Sequence, residues 1–211
     1  MSIYQFISTA YDLLDVIWFS EKGKNPRDVI QSLIPNKKCR ILDLCCGTFT
    51  NGFSIAKKNA NNKIMGIDLS KEMLGEAKRK VVKSSMKNVY LRNADATDTK
   101  LPQESFEYVI LGLVLHECSP QLRADLLKEA YRVLKPDGRL IVLEWENPKK
   151  ISPKVKYAPL YLLETLGCKS FREFFACDKK KYFENYGFLT EKEIHCNYSI
   201  VMELKKREEV F

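Results

Sequence analysis

The sequence predicts an α/β fold in which a central, mostly parallel sheet of seven strands carries helices on both faces. Two observations predict it. Between residues 40 and 144, short apolar β-rich runs alternate with amphipathic helical segments, an order typical of βαβ units. Two more β-rich runs, separated by Asn197, end the chain and predict an antiparallel hairpin at one edge of the sheet. A chain of 211 residues suffices for one domain with a full core.

The individual elements follow from the same alternation. The parallel strands are expected at Arg40–Cys45, Lys63–Asp68, Asn88–Asn93, Phe106–Leu111 and Arg139–Glu144, and the hairpin at Phe188–Cys196 and Tyr198–Lys205. Helical patterns between the strands cover Gly52–Ala60, Lys71–Val82 and Pro120–Leu134. Ser119 suits the N-cap of the last of these helices, with Pro120 at its first position. Pro136-Asp-Gly138 predicts a turn before the fifth strand.

Helical segments are predicted on both sides of this region. Residues 1–36 are expected to form an N-terminal helical segment, and residues 147–185 a helical insertion after the fifth strand. Their helices are predicted at Tyr4–Phe19, Pro26–Ile34, Leu160–Leu166 and Arg172–Asn185. No repeat or low-complexity tract interrupts the chain, so residues 1–211 are expected to form a single domain.

The composition is that of an ordinary soluble globule, with 45% hydrophobic and 29% charged residues. No apolar run approaches the ~18–20 residues that cross a bilayer, and the first residues lack the basic start and apolar stretch of a secretion signal. A cytoplasmic location is therefore expected. The seven cysteines form no Cys-x-x-Cys pair and no zinc-spaced cluster with histidine, so we expect free thiols and no metal site.

Positive charge is concentrated in one part of the chain. The net charge is +8, and residues 147–183 alone contain nine Lys or Arg against three acids. Such a stretch could attract an anionic substrate, a membrane surface or RNA. It could equally be a solvated lysine-rich face, and the sequence leaves both interpretations open.

Acidic residues end three of the predicted strands, and together they predict a nucleotide-type ligand at the carboxyl edge of the sheet. Asp43 precedes the loop Cys45-Cys46-Gly47-Thr48, where a strand, a tight turn and a helix N-terminus present backbone N–H groups. Asp68 ends the second strand, 21 residues after Gly47, and can accept both hydroxyls of a ribose. Asp95 follows the third strand. One such acid could simply cap a turn or a helix, but three at successive strand ends are far more specific.

The segment Ile41–Gly52 resembles the nucleotide-binding loop of the class I S-adenosylmethionine (SAM)-dependent methyltransferases, which have a Rossmann-like fold and usually read Leu-Asp-Leu-Gly-Cys-Gly-Thr-Gly there. Within this class the chain is most similar to the ubiquinone/menaquinone-biosynthesis C-methyltransferases. Cys45–Thr48 is similar to their Cys-Cys-Gly-Thr-Gly loop. Ala130–Glu144 resembles their Arg-Val-Leu-Lys-Pro-Gly-Gly segment and the strand after it, and Tyr11-Asp12 matches a pair common in their N-terminal helix.

The resemblance implies SAM as the cofactor, S-adenosylhomocysteine as the product, and in-line transfer of a methyl group to a small molecule. It implies that residues 1–36 close over the cofactor and that residues 147–185 shape the acceptor side. Asp95 would bind the adenine amino group, and the next backbone N–H a ring nitrogen. The full set of implied cofactor-binding residues is Tyr11, Asp43, Cys45, Cys46, Gly47, Thr48, Asp68, Leu69, Met73, Asp95, Ala96 and Leu113.

Phe49 departs from the family pattern, because it stands where a glycine normally lets the helix start approach the sheet and the cofactor. A Cβ fits there if φ is negative. The phenyl ring is then expected either to point away from the cofactor or to narrow its pocket.

The acceptor side is predicted at the end of the fourth strand, in the run Leu111–Glu117. It lacks the Asn/Asp-Pro-Pro-aromatic signature of enzymes that methylate amino groups, so a small organic acceptor is favoured over a nucleic acid. His116 is one of only two histidines and is the candidate general base, although a structural histidine is the alternative. The insertion contains many aromatic residues, which at helical spacing are more often core residues. If they instead form a lysine-rich roof over the active site, they favour a planar or anionic acceptor.

Two other functions stay open at this point. The first is an RNA methyltransferase that uses the basic residues 147–183. The second is a non-catalytic binding protein whose pocket Phe49 has closed.

Overall fold

A computed structural model describes residues 25–146, 158, 161–162, 170–196 and 198–207. Its strands are β1 (Arg40–Leu44), β2 (Lys63–Asp68), β3 (Val89–Asn93), β4 (Phe106–Gly112), β5 (Leu134–Trp145), β6 (Phe188–His195) and β7 (Ser199–Lys206). Its helices are α1 (Pro26–Leu33), α2 (Thr50–Lys58), α3 (Lys71–Lys83), α4 (Pro120–Val133), α5 (Phe171–Ala176) and α6 (Lys179–Glu184).

The strands form one seven-stranded sheet in the order β3-β2-β1-β4-β5-β7-β6. Neighbouring strands from β3 to β5 run parallel, whereas β7 pairs antiparallel with both β5 and β6. The predicted α/β fold with an antiparallel C-terminal hairpin is therefore confirmed. Leu44 pairs with Ile67 on one side and with Leu111 on the other, so the carboxyl ends of β1, β2 and β4 lie at one edge of the sheet.

Apolar side chains cover both faces of the sheet. On one face Ile55 and Ala56 of α2 and Ala77 of α3 pack with Ile41 and Ile64. On the other face the apolar side of α4 packs against β1, β4 and β5 through Leu126, Leu127, Ala130 and Val133. Strands buried on both faces explain the continuous apolar runs that the sequence shows at β1 and β4.

Two predicted boundaries are wrong. β5 begins at Leu134 rather than Arg139, because Leu134 already pairs with Phe106 of β4. The register then shifts, and the pairing resumes with Tyr108 opposite Arg139. The predicted turn at Pro136–Gly138 is thus an irregularity within a strand. The predicted helix 172–185 is divided into α5 and α6, because Asp178 caps α6 by accepting a hydrogen bond from the Lys181 N–H.

Some predictions lie outside the described residues. They include the helix predicted at 4–19, which contains Tyr11, and most of the insertion between 147 and 169. Of the helix predicted at 160–166, only Tyr161 and Leu162 are described, and both are helical. Within the described part of the chain, no helix combines the length and apolar character needed to cross a membrane.

Candidate active site

The loop between β1 and α2 turns sharply at the carboxyl edge of the sheet. Cys45, Gly47 and Phe49 all have left-handed backbone conformations, with φ of 54°, 53° and 63°. The turn is tied to β2 because the Cys46 N–H donates to the Ile67 carbonyl at 3.0 Å. A Cβ on Gly47 would meet nothing within 4 Å, so the space in front of this turn is open to a ligand.

Asp68 joins this loop to the start of α3. One carboxylate oxygen accepts the Gly47 N–H at 2.7 Å, and the other accepts the Ser70 N–H at 2.8 Å. Ser70 in turn caps α3 by accepting the Met73 N–H. Each carboxylate oxygen can accept a second hydrogen bond, so Asp68 fits a ribose diol beside the open Gly47 turn.

Asp43 supports the loop from inside the protein. It is 1% exposed and accepts the Gly52 N–H, in the first turn of α2, at 3.0 Å. Phe49, the N-cap residue, makes no side-chain hydrogen bond to this helix. The Asp43 carboxylate instead accepts a hydrogen bond from a backbone N–H of the first turn. Burial raises the pKa of Asp43 to about 7, the Gly52 hydrogen bond opposes the rise, and the negative charge of Asp68 adds to it.

The raised pKa of Asp43 predicts that stability depends on pH. Because the folded chain holds this proton more tightly than the unfolded chain, the carboxyl stabilises the fold below pH 3.8 and loses that effect as pH rises through about 7. We expect the free energy of unfolding to fall by up to about 1.4 kcal/mol per pH unit in that window. Denaturant titrations of Asp43→Asn should show a flatter profile, whereas the exposed-residue control Asp137→Asn should keep the wild-type slope. An unchanged slope in Asp43→Asn would contradict the assignment.

The side chains of the loop point into the protein, so its contact with a ligand would run through its backbone. Cys45 packs on one face of the sheet and Cys46 on the other. Burial raises the pKa of both thiols, which makes them poor nucleophiles at neutral pH. The Thr48 hydroxyl lies within hydrogen-bond distance of the Thr50 hydroxyl and of the Lys80 ammonium, at 3.0 and 3.1 Å.

Phe49 adopts a left-handed backbone conformation, with the positive φ that suits the glycine it replaces. Its ring is fully buried in the apolar cluster that contains Ile41 and Ile55. The ring fills the space that two glycines leave, since a Cβ on Gly52 would lie 2.1 Å from it and one on Gly66 would lie 2.7 Å from it. Phe49 therefore points away from the open side of the loop.

This placement predicts the effect of shortening Phe49. Phe49→Ala should lower the free energy of unfolding by about 3–5 kcal/mol, because it leaves a cavity between two glycines that cannot fill it. SAM affinity, measured by calorimetry below the unfolding temperature, should change less than threefold. Phe53→Ala is the matched control and should destabilise less, because Phe53 is only partly buried. A stable Phe49→Ala protein with altered SAM affinity would place the ring in the cofactor pocket.

The residues predicted for the adenine lie beyond β2 and β3. Asp95 is exposed, and one of its oxygens accepts hydrogen bonds from the N–H and hydroxyl of Thr97, which lower its pKa. Ala96 is buried, so only its backbone could meet a ligand. Leu69, directly after Asp68, is 69% exposed.

His116 lies beyond β4 and is paired with Glu144 at the end of β5. The two side chains are 2% and 1% exposed, and His116 Nδ1 is 2.7 Å from Glu144 Oε2. The other oxygen of Glu144 accepts the Leu115 N–H at 2.8 Å. A carboxylate can only accept, so the proton of a neutral His116 lies on Nδ1, and Nε2 is the basic nitrogen.

An aromatic cluster encloses His116. The Phe171 ring meets the imidazole edge-on with centroids 5.7 Å apart, and Trp145 lies 6.4 Å away on the other strand end. Phe171 stacks on Phe175 at 5.1 Å, and Tyr161 contacts both rings. Leu113, in a left-handed conformation with φ of 55°, donates its N–H to the Leu143 carbonyl and packs against this cluster.

Sequence reasoning missed Glu144 as a site residue. The rule that selected Asp43, Asp68 and Asp95, an acid at the carboxyl end of a strand, applies to Glu144 equally and could have found it. Trp145 and Phe171 could not be assigned in this way, because an aromatic residue at a strand end or in a helix is usually a core residue.

Comparisons with known proteins show the family of the chain. Residues 1–191 match the model of the ubiE/COQ5 methyltransferase family. A demethylmenaquinone methyltransferase of Staphylococcus aureus is 34% identical over 182 residues, which cover 85% of this chain and 73% of the relative. One of Geobacillus is 30% identical over 191 residues, covering 90% of this chain and 78% of the relative.

A solved structure shows the same fold. The 1,6-didemethyltoxoflavin-N1-methyltransferase of Burkholderia thailandensis, with bound S-adenosylhomocysteine, aligns over 97% of this chain and 86% of its own, with a TM-score of 0.64 and 14% identity. The comparisons support neither the RNA methyltransferase nor the non-catalytic binding protein. The chain belongs to the ubiE/COQ5 methyltransferase family and is an S-adenosylmethionine-dependent methyltransferase that acts on a small molecule.

Proposed function

We propose that the acceptor is a planar aromatic compound with an ionisable hydroxyl, such as a reduced quinone, and that His116 accepts its proton. The buried pair of His116 and Glu144, enclosed by aromatic rings, is the observation that carries this proposal. The relatives that are named demethylmenaquinone methyltransferases support it, because a reduced naphthoquinone is such a compound.

The proposed cofactor site lies along the same edge of the sheet. Gly47 and Asp68 would hold the methionine and ribose parts of SAM, and Asp95 with the Ala96 N–H would hold the adenine. Leu69, Met73 and Leu113 would pack against it, with Tyr11 and the rest of residues 1–36 as a cover. Bound SAM supplies an electrophilic methyl group, and the chain's task is to align the acceptor with it.

His116 would act on the acceptor hydroxyl. Its Nε2 takes the hydroxyl proton, and the electron pair of that O–H bond is released into the oxygen and the aromatic ring. The deprotonated oxygen, or a ring carbon beside it, would thereby become the nucleophile for the methyl group that bound SAM would supply. When carbon is the nucleophile, its ring proton would pass to solvent and the oxygen would recover the proton held by His116, which restores the aromatic hydroxyl.

Glu144 would act as a positioning residue for His116. Its Oε2 keeps the imidazole proton on Nδ1, and its Oε1 fixes the backbone of Leu115. A carboxylate in this place also stabilises the imidazolium that forms when Nε2 is protonated. Glu144 lies near the end of β5 and His116 in the turn after the neighbouring strand β4, so these hydrogen bonds hold the basic nitrogen in one place.

A comparison of reduced and oxidised acceptors tests the proposal. The chain is incubated with SAM and a naphthoquinone that has an unsubstituted ring carbon, either reduced to the dihydroxy form or left oxidised. We expect S-adenosylhomocysteine and a methylated product from the reduced form, and neither from the oxidised form, which has no hydroxyl. Equal turnover of both forms, or methyl transfer to added RNA alone, would contradict it.

A further inference from the structure

A cavity lies on the face of the sheet that packs against α4, toward the amino ends of β1, β2 and β4. Its volume is about 500 Å³, and its lining includes Met65, Phe106, Tyr90, Arg40, Lys63 and Lys38. This volume is within the range of roughly 300–1,000 Å³ that is typical of small-molecule sites. The proposed methyl-transfer site uses the carboxyl ends of the same parallel strands, so the two sites would lie at opposite strand ends. We refer to the cavity as the amino-end groove.

The groove exists because one of the connections between the parallel strands carries no helix. The β1–β2, β2–β3 and β4–β5 connections contain α2, α3 and α4, whereas residues 94–105 between β3 and β4 are irregular. Tyr90 lies inside β3 next to Met65 of β2, yet it is 51% exposed. A half-exposed aromatic ring on the interior of a strand leaves a flat apolar surface available to a ligand.

The charge at the groove is positive and uncompensated within the described residues. Its one carboxylate, Glu107, is already occupied, since it accepts the Arg40 backbone N–H and is paired with Lys135. Lys38, Lys63 and the Arg40 guanidinium form no ion pair in the described part of the chain. Arg40 instead lies over the Phe106 ring, 5.2 Å from its centroid, so a cation is held above the apolar floor.

We propose that the amino-end groove binds a planar aromatic anion of about mononucleotide size, as a second site separate from the methyl-transfer site. The aromatic ring lies against Tyr90 and Met65, and the anionic group meets Arg40, Lys63 and Lys38. A second copy of the chain is disfavoured here, because two such cationic surfaces repel each other. This inference does not depend on the identity of the methyl acceptor.

The experiment titrates the full chain with AMP in the presence of saturating S-adenosylhomocysteine, which keeps AMP out of the cofactor site. Calorimetry should show that AMP binds at least tenfold more tightly than inorganic phosphate or adenosine. Inorganic phosphate lacks the aromatic ring, and adenosine lacks the anionic group. The Arg40→Ala/Lys63→Ala double variant and Tyr90→Ala should each weaken AMP binding about tenfold, an effect in the range expected for lost charge or lost stacking. Lys57→Ala, which removes an exposed lysine that does not line the groove, should leave AMP binding unchanged.

The substituted side chains are exposed, so the variants should fold, and equal unfolding temperatures confirm that they do. The proposal is overturned if AMP does not bind, if the variants bind it as tightly as the wild type, or if inorganic phosphate binds as tightly as AMP. None of these measurements requires methyl transfer, so they are independent of the proposed function.

Discussion

Asp68→Ala should reduce the affinity for SAM about 10²- to 10⁴-fold. The Asp68 carboxylate accepts the Gly47 N–H and, in the proposed site, would also accept the ribose hydroxyls. Hydrogen bonds to a charged group are worth about 1.5–3 kcal/mol each. Losing two of them corresponds to this change in the dissociation constant. Calorimetry with S-adenosylhomocysteine gives the value without interference from turnover.

The matched control for Asp68→Ala is Asp98→Ala. Asp98 is an exposed acid at the same side of the sheet, so its removal changes the net charge equally but takes no group from the proposed site. We expect its affinity to stay within twofold of the wild type. A drop of less than threefold in Asp68→Ala would mean that the cofactor binds elsewhere.

His116→Gln should lower kcat by about 10²- to 10⁴-fold, the usual contribution of a general base, and leave SAM affinity unchanged. Glu144→Gln should lower kcat less than His116→Gln does. The amide oxygen can still accept the Leu115 N–H, but an uncharged amide stabilises a protonated His116 less than a carboxylate does. The double variant should be no slower than His116→Gln, since Glu144 acts through His116.

The control for the pair is Glu117→Gln. The Glu117 carboxylate lies 3.8 Å from His116 Nε2 but is exposed, so its replacement tests proximity without removing the buried contact. We expect near wild-type kcat from it. Full activity in a folded His116→Gln protein would show that the histidine is structural.

The fold was predictable because its determinants are local. Alternating β-rich and amphipathic segments located β1 to β4 and the closing hairpin, and the acids at strand ends marked the candidate edge of the sheet. The element boundaries that were predicted wrongly depend on strand pairing and on helix capping. Leu134 extends β5 because it meets Phe106 on another strand, and Asp178 restarts a helix that the apolar pattern alone continues.

The chemistry of the site was less predictable, because its contacts join residues that are distant in sequence. Phe49 fits the loop because Gly52 and Gly66 leave room for its ring on two different elements. His116 meets Glu144 only when β4 and β5 lie side by side. A pattern read along one strand or helix does not contain either contact.

A crystal structure with bound S-adenosylhomocysteine tests the central claim most directly. We expect the ribose hydroxyls within hydrogen-bond distance of Asp68, the methionine part beside Gly47, and the sulfur facing the aromatic cluster that holds His116. A cofactor bound away from Asp68, or a sulfur separated from His116 by intact protein core, would contradict this account.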